Sequence, residues 1–156
     1  MSKDKMRLEA QGLTDTTMLV DFGSRTATVL FPRQKAYQKL GTGPEQYFRV
    51  TDAEQACPDW QKVVRRQMTC AKVGNEAVDG RKAVKYEGRG ASASGSPIFV
   101  WIDPGLKFVI KWEDADGGAE LRNIKEGPQP ADLFAVPPSY DALKPRKKPT
   151  GNVPRP

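Results

Sequence analysis

The 156-residue sequence predicts a mainly β protein of the α+β class. Three observations carry that prediction. Apolar and polar residues alternate with a period of two along most of the chain. Clusters of Gly, Pro, Asp and Asn interrupt the alternation at short intervals. Helical signals are confined to two short stretches.

Lys5-Met6-Arg7-Leu8-Glu9-Ala10 opens the alternation, with Met6, Leu8 and Ala10 on one face of a strand and charges on the other. Thr17–Phe22 follows, with Met18, Val20 and Phe22 together, and Gly23-Ser24 turns the chain. Arg25–Phe31 places Ala27, Val29 and Phe31 on one face. Pro32-Arg33-Gln34 is a turn, because proline presets a turn angle and cannot donate within a central strand. Lys35–Leu40 closes a meander of four antiparallel strands with short connections.

The middle of the chain changes character. Thr42-Gly43-Pro44-Glu45 has the look of a helix start, with proline at the first helical position and an acid in the first turn. After Pro58, the residues Trp60, Val63 and Val64 have the spacing of an amphipathic stripe on a second short helix.

Strands then resume. Cys70–Val78 and Arg81–Glu87 flank Asp79-Gly80, a pair suited to a type I′ hairpin turn. Gly88–Ser96 reads as a flexible Gly/Ser/Ala loop. Pro97–Ile102 and Leu106–Glu113 form a second hairpin around Asp103-Pro104-Gly105, and Asp116-Gly117-Gly118 leads into a last strand, Ala119–Ile124. Asp132-Leu133-Phe134 and Val136-Pro137-Pro138 read as a closing turn laid on the core. The reading is one β domain over 1–143 and a disordered, basic, Pro-rich tail over 144–156.

That tail carries five of the six net positive charges, leaving residues 1–143 at only +1. A folded nucleic-acid reader carries its basic excess on the folded face, so nucleic acid is not an expected partner. The tail itself suits a solubilising linker, a peripheral contact with anionic headgroups, or a Pro-rich ligand. The chain has no histidine, which excludes Ser–His and Cys–His mechanisms within it and removes the commonest metal ligand. Two cysteines alone do not complete a structural zinc site. No stretch approaches the ~18 apolar residues of a membrane span. The opening Met1-Ser2-Lys3-Asp4-Lys5 shows no apolar signal region; read literally, the chain is cytoplasmic.

No constellation of catalytic side chains stands out. Asp15, Asp52, Asp79 and Asp103 all fall at predicted turns, where acids cap the local backbone, and Asp114 and Asp116 flank a Gly-Gly turn. Gly88-Arg89-Gly90 lacks the lysine and the following helix of a phosphate loop. The expectation is a protein that is not an enzyme, with no metal and no cofactor, and monomeric. Cys57 and Cys70 bracket the second helix. A disulfide between them would close a loop of roughly 14 residues and contribute ~3 kcal/mol. That holds in an oxidising compartment; in the cytosol the same residues would be two buried thiols. If bonded, their Cα atoms should lie about 4.4–6.8 Å apart.

Ile98-Phe99-Val100-Trp101-Ile102 is apolar on both faces, and Phe108–Trp112 is nearly so. A strand of that kind is covered on both sides. Either two protein layers cover it, or one face lines an apolar cavity. In the second case Phe99, Trp101 and Trp112 form the ligand-binding wall. Stiff β-branched side chains suit the packed side, and aromatics with a polar edge suit a partly wet mouth. Trp101 shares its parity with Phe99; the face taken by Trp112 depends on the pairing register.

The succession Lys-Met-Arg-Leu-Glu, Val-Asp-Phe-Gly, Leu-Phe-Pro, Cys70-Ala-Lys-Val-Gly-Asn-Glu-Ala-Val-Asp-Gly-Arg-Lys, Val-Trp-Ile-Asp-Pro and Leu-Phe-Ala-Val-Pro resembles the LolA/LolB-like superfamily of exported bacterial proteins over about residues 3–143. The resemblance implies a curved antiparallel sheet forming an incomplete barrel, with short helices packed on or in it. It implies a non-enzymatic periplasmic or secreted binding protein with an apolar concave face for a lipid or lipoprotein acyl chain. The alternative it allows is an envelope protein-interaction or sensor domain with a packed interior. Relatives begin with a signal peptide and one or two further strands ahead of the Lys-Met-Arg strand; against that pattern, either the start is truncated here or the sheet has an unprotected edge.

Overall fold

A computed structural model describes residues 4–10, 15–40, 49–63, 67–90 and 95–144. The expected first helix at Thr42–Glu45, the stripe residue Val64 and the tail beyond Lys144 lie outside these residues. In chain order the strands are β1 (Lys5–Ala10), β2 (Thr16–Asp21), β3 (Thr26–Phe31), β4 (Ala36–Leu40) and β5 (Met68–Val78). Then come β6 (Arg81–Gly90), β7 (Ile98–Asp103), β8 (Phe108–Asp114), β9 (Gly117–Glu120) and β10 (Asp141–Ala142). One α-helix, α1 (Cys57–Val63), precedes β5. The class is mainly β, α+β. The chain divides into two compact units, one drawing its described residues from 4–40 and 129–144, the other from 49–128.

The first unit holds a sheet in the order β1-β2-β3-β4-β10. Its first four strands are the expected antiparallel meander, and Pro32–Gln34 makes a single 3-10 turn between β3 and β4. The register aligns Met6, Val20, Ala27 and Leu40 in one row across the sheet. Met6, Val20 and Ala27 are buried, which is what a shared parity of apolar residues is for. The closing segment forms a 3-10 turn at Ala131–Phe134, and the Arg7 guanidinium donates to the Leu133 carbonyl at 3.0 Å. β10, which nothing in the sequence announces, then joins β4 in parallel through Asp141 N–H to Lys35 O and Leu143 N–H to Tyr37 O.

The second unit holds an antiparallel sheet in the order β5-β6-β7-β8-β9. Asp79 and Gly80 both have positive φ, 47° and 75°, as a type I′ turn requires, and β5 and β6 form the expected hairpin around them. One face of the sheet carries α1 and the segment before it. Val50, Ala53, Ala56 and Trp60 pack there on Val84, Tyr86, Val100 and Ile102. The buried Tyr86 hydroxyl donates to Ala53 O at 2.6 Å and accepts from Ala56 N–H at 3.2 Å. The other face gathers Val78, Ala83, Trp101, Leu106 and Ile110, with Leu121 and Ile124 packed against them.

Two expectations are corrected here. Gly88, Arg89 and Gly90 belong to β6 rather than to a loop. Gly88 is buried, and a Cβ on it would sit 2.7 Å from the Trp60 ring and 2.9 Å from the Met68 sulfur. The glycine is a strand residue that admits a tryptophan. The last strand ends at Glu120, and Leu121 and Ile124 leave it to cover the sheet.

Candidate functional site

The pairing register decides where the three expected ligand-binding aromatics go. Lys85 and Lys111 both face Trp101 across the sheet, while Trp112 pairs with Val100. Phe99 and Trp101 therefore share one face, and Trp112 lies on the other, the side that carries α1. The structure brings Phe99 and Trp101 together, with ring centroids 6.3 Å apart and planes at 48°. It does not bring Trp112 to them.

Trp101 is 2% exposed and fully engaged. Its indole N–H donates to Glu76 at 2.8 Å. The Lys85 ammonium lies 4.8 Å from the Trp101 centroid and the same distance from that of Phe99, and the Lys111 ammonium lies 4.5 Å from Trp101. These are cation–π distances. Lys85 also reaches Glu76 at 3.1 Å, and Lys111 reaches Glu113 at 2.9 Å. The bond from the Trp101 indole, with the bond from Lys85, holds the Glu76 carboxyl below its ordinary range. The bond to Glu113 raises Lys111. The residues around Trp101 thus form a closed ionic and aromatic lattice. The shared parity of Lys111 with Glu113 was its signal in the sequence; Glu76 reaches Lys85 from β5, and no local pattern joins them.

Trp112 is 41% exposed and Ile98, on the same face of the neighbouring strand, is 40% exposed. Among the described residues they are two of the exposed large apolar side chains, with Val73, Leu133 and Leu143. A groove of about 560 Å³ runs along the β8–β9 hairpin beside Trp112, lined also by Lys111, Glu113, Asp114, Asp116 and Glu120.

Most acids at turns act on the backbone. Asp52 accepts from Glu54 N–H, and Asp114 accepts from Asp116 and Gly117 N–H. Asp79 accepts from Asn123 N–H, 44 residues on. Asp15 instead pairs with Arg33 at 2.9 Å. Asp103 does more than cap. It is 3% exposed, accepts from Gly105 and Leu106 N–H, and binds Arg81 at 2.5 Å. Arg81 in turn reaches Glu126 at 3.2 Å. Burial alone would push the Asp103 carboxyl up, but Arg81 and the two amides outweigh it and hold the carboxyl low.

Cys57 and Cys70 are disulfide-bonded, with Cα atoms 5.6 Å apart, inside the expected window. The bond ties α1 to β5. Among the described residues no cluster of three or more Cys, Asp or Glu side chains could hold a metal ion, and no helix is long and apolar enough to cross a membrane. No protein-family model matches the chain, and no curated protein matches it.

Proposed function

We propose that this chain is a non-enzymatic, exported binding domain of the LolA/LolB-like kind, and that it engages a partner protein of the envelope through its surface. The observation that carries this reading is the state of Trp101. The side chain expected to wall an acyl-chain cavity is buried, hydrogen-bonded and flanked by two ammonium groups, so an incoming chain would have to displace satisfied polar contacts. The incomplete barrel belongs to the same proposal. It is supported by two runs of consecutive antiparallel neighbours and by α1 lying on one face of the second. Export to the periplasm is supported by the Cys57–Cys70 disulfide, since such bonds persist in oxidising compartments.

A second reading, peripheral capture of a lipid or acyl chain, draws on the exposed Ile98 and Trp112. Native mass spectrometry of the protein isolated from its own host separates the two. The expected result is a protein complex, with no adduct of acyl-chain mass. A stoichiometric lipid adduct would replace the first reading with the second.

A further inference from the structure

The second unit ends in a strand edge with unusual surroundings. β9 is the last strand of its sheet, pairs with β8, and exposes all four of its residues. A terminal strand presents backbone N–H and C=O groups to whatever lies beside it. On the helix-bearing face Trp112 pairs with Val100 on β7 and with Ala119 on β9, and Ile98 lies diagonally from it, two residues along β7 from Val100. An exposed apolar strip therefore leads to the edge. Residues 113–120 carry four carboxylates, two of them paired by the flanking Lys111 and Arg122 and two, Asp114 and Asp116, left at the hairpin end, in a molecule that is otherwise basic. Gly118 runs so close to β8 that a Cβ would sit 2.5 Å from the Trp112 carbonyl, so β9 is held as a bare ribbon of backbone.

We propose that β9 and the Ile98–Trp112–Ala119 strip form a docking edge for an extended, cationic segment of a partner protein, added as a further strand beside β9. Backbone hydrogen bonds supply the pairing, and side chains of alternating parity supply the selection. One parity of the incoming strand rests on Trp112, which accepts either an apolar side chain or an Arg or Lys over its ring. Charge decides the occupant. Two copies of this edge would bring carboxylates against carboxylates, which opposes pairing of the chain with itself. A Lys- or Arg-bearing strand meets Asp114 and Asp116 instead, beside Glu113 and Glu120, which Lys111 and Arg122 already pair. This proposal rests on the binding-domain reading above and names the surface and the chemistry of its partner.

The probe is a blocked eight-residue peptide alternating valine with lysine, titrated against the full chain while tryptophan emission is followed. Its valine–glutamate counterpart and a version N-methylated at alternate backbone amides serve as controls. The lysine peptide should bind and shift the emission, and both controls should not. Trp112→Ala and the double substitution D116K/E120K should each weaken binding about tenfold or more. Both lie on an exposed hairpin, and an unchanged melting temperature shows that each variant is folded. Equal binding of the N-methylated peptide would overturn strand addition, and absence of binding by the lysine peptide would overturn the site. If the protein partner isolated from the host binds Trp112→Ala and D116K/E120K as it binds the original chain, this surface is wrong while the binding-domain reading stands.

Discussion

Trp60 reaches the sheet because Gly88 has no side chain. The ring lies where a Cβ on Gly88 would be, and Trp60 is one of the largest members of the cluster beneath α1. A tightly packed interior does not yield to an added methyl without moving side chains or backbone. Gly88→Ala should therefore cost about 1–3 kcal/mol, the usual cost of overpacking, measured as a fall in the urea midpoint. An unchanged midpoint would mean that the ring swings aside freely. This contact also explains a misreading. Gly and Ser composition stands for flexibility only when nothing distant needs the space, and the need here comes from a residue 28 positions upstream. Trp112 was illegible for a similar reason. Its own parity is plain in the sequence, but its face is set by pairing with β7, where the register shifts between Trp101 and Ile102.

At the scale of elements, the local devices were the legible ones. The Asp79-Gly80 turn, the proline turn at Pro32 and the alternation in β1 to β4 are each written in neighbouring residues, and each is present. β10 is two residues long and pairs with a strand a hundred positions away, so no local pattern could announce it. The disulfide joins the two kinds of element, because it pins the short helix α1 to the long strand β5. A seven-residue helix has little stability of its own and depends on tertiary fixing. Cys57→Ser with Cys70→Ser should lose ~3 kcal/mol, the closure entropy of so small a loop. Hydrogen exchange should then rise first in residues 57–63 and at the Ala56 amide, which donates to the Tyr86 hydroxyl just ahead of the helix. Loss spread evenly over β5 to β9 would mean that the helix is not a separate unit of stability.

At the scale of the molecule, class and bonding were readable while function was not. Period-two alternation reports burial, and the cysteine pair reports a bond, but a binding surface is defined by which apolar residues stay uncovered after folding. Ile98 and Trp112 look like core in the sequence and are partly open in the structure. The whole-molecule prediction concerns acid. The chain has no histidine and both cysteines are bonded, so stability should be nearly flat between about pH 5.5 and 8. Among the described residues, three carboxyls are held low in the folded state. They are Asp103 in its Arg81 and amide cage, Glu76 under the Trp101 indole and Lys85, and Asp21, which accepts from the Ser24 backbone N–H. A carboxyl whose folded pKa lies below its unfolded value contributes stability that is present above the unfolded value, about 4, and is lost as pH falls through the folded one. The melting temperature should thus fall steeply below about pH 4. Asp103 should dominate, because it is buried while the Glu76 and Asp21 side chains are 50% and 34% exposed and water screens them. Asp103→Asn keeps an acceptor for Gly105 and Leu106 but removes the charge facing Arg81. It should lower the melting temperature at pH 7 and flatten the acid limb, as read by circular dichroism across the pH series. An acid limb as steep in Asp103→Asn as in the original chain would place the acid sensitivity elsewhere.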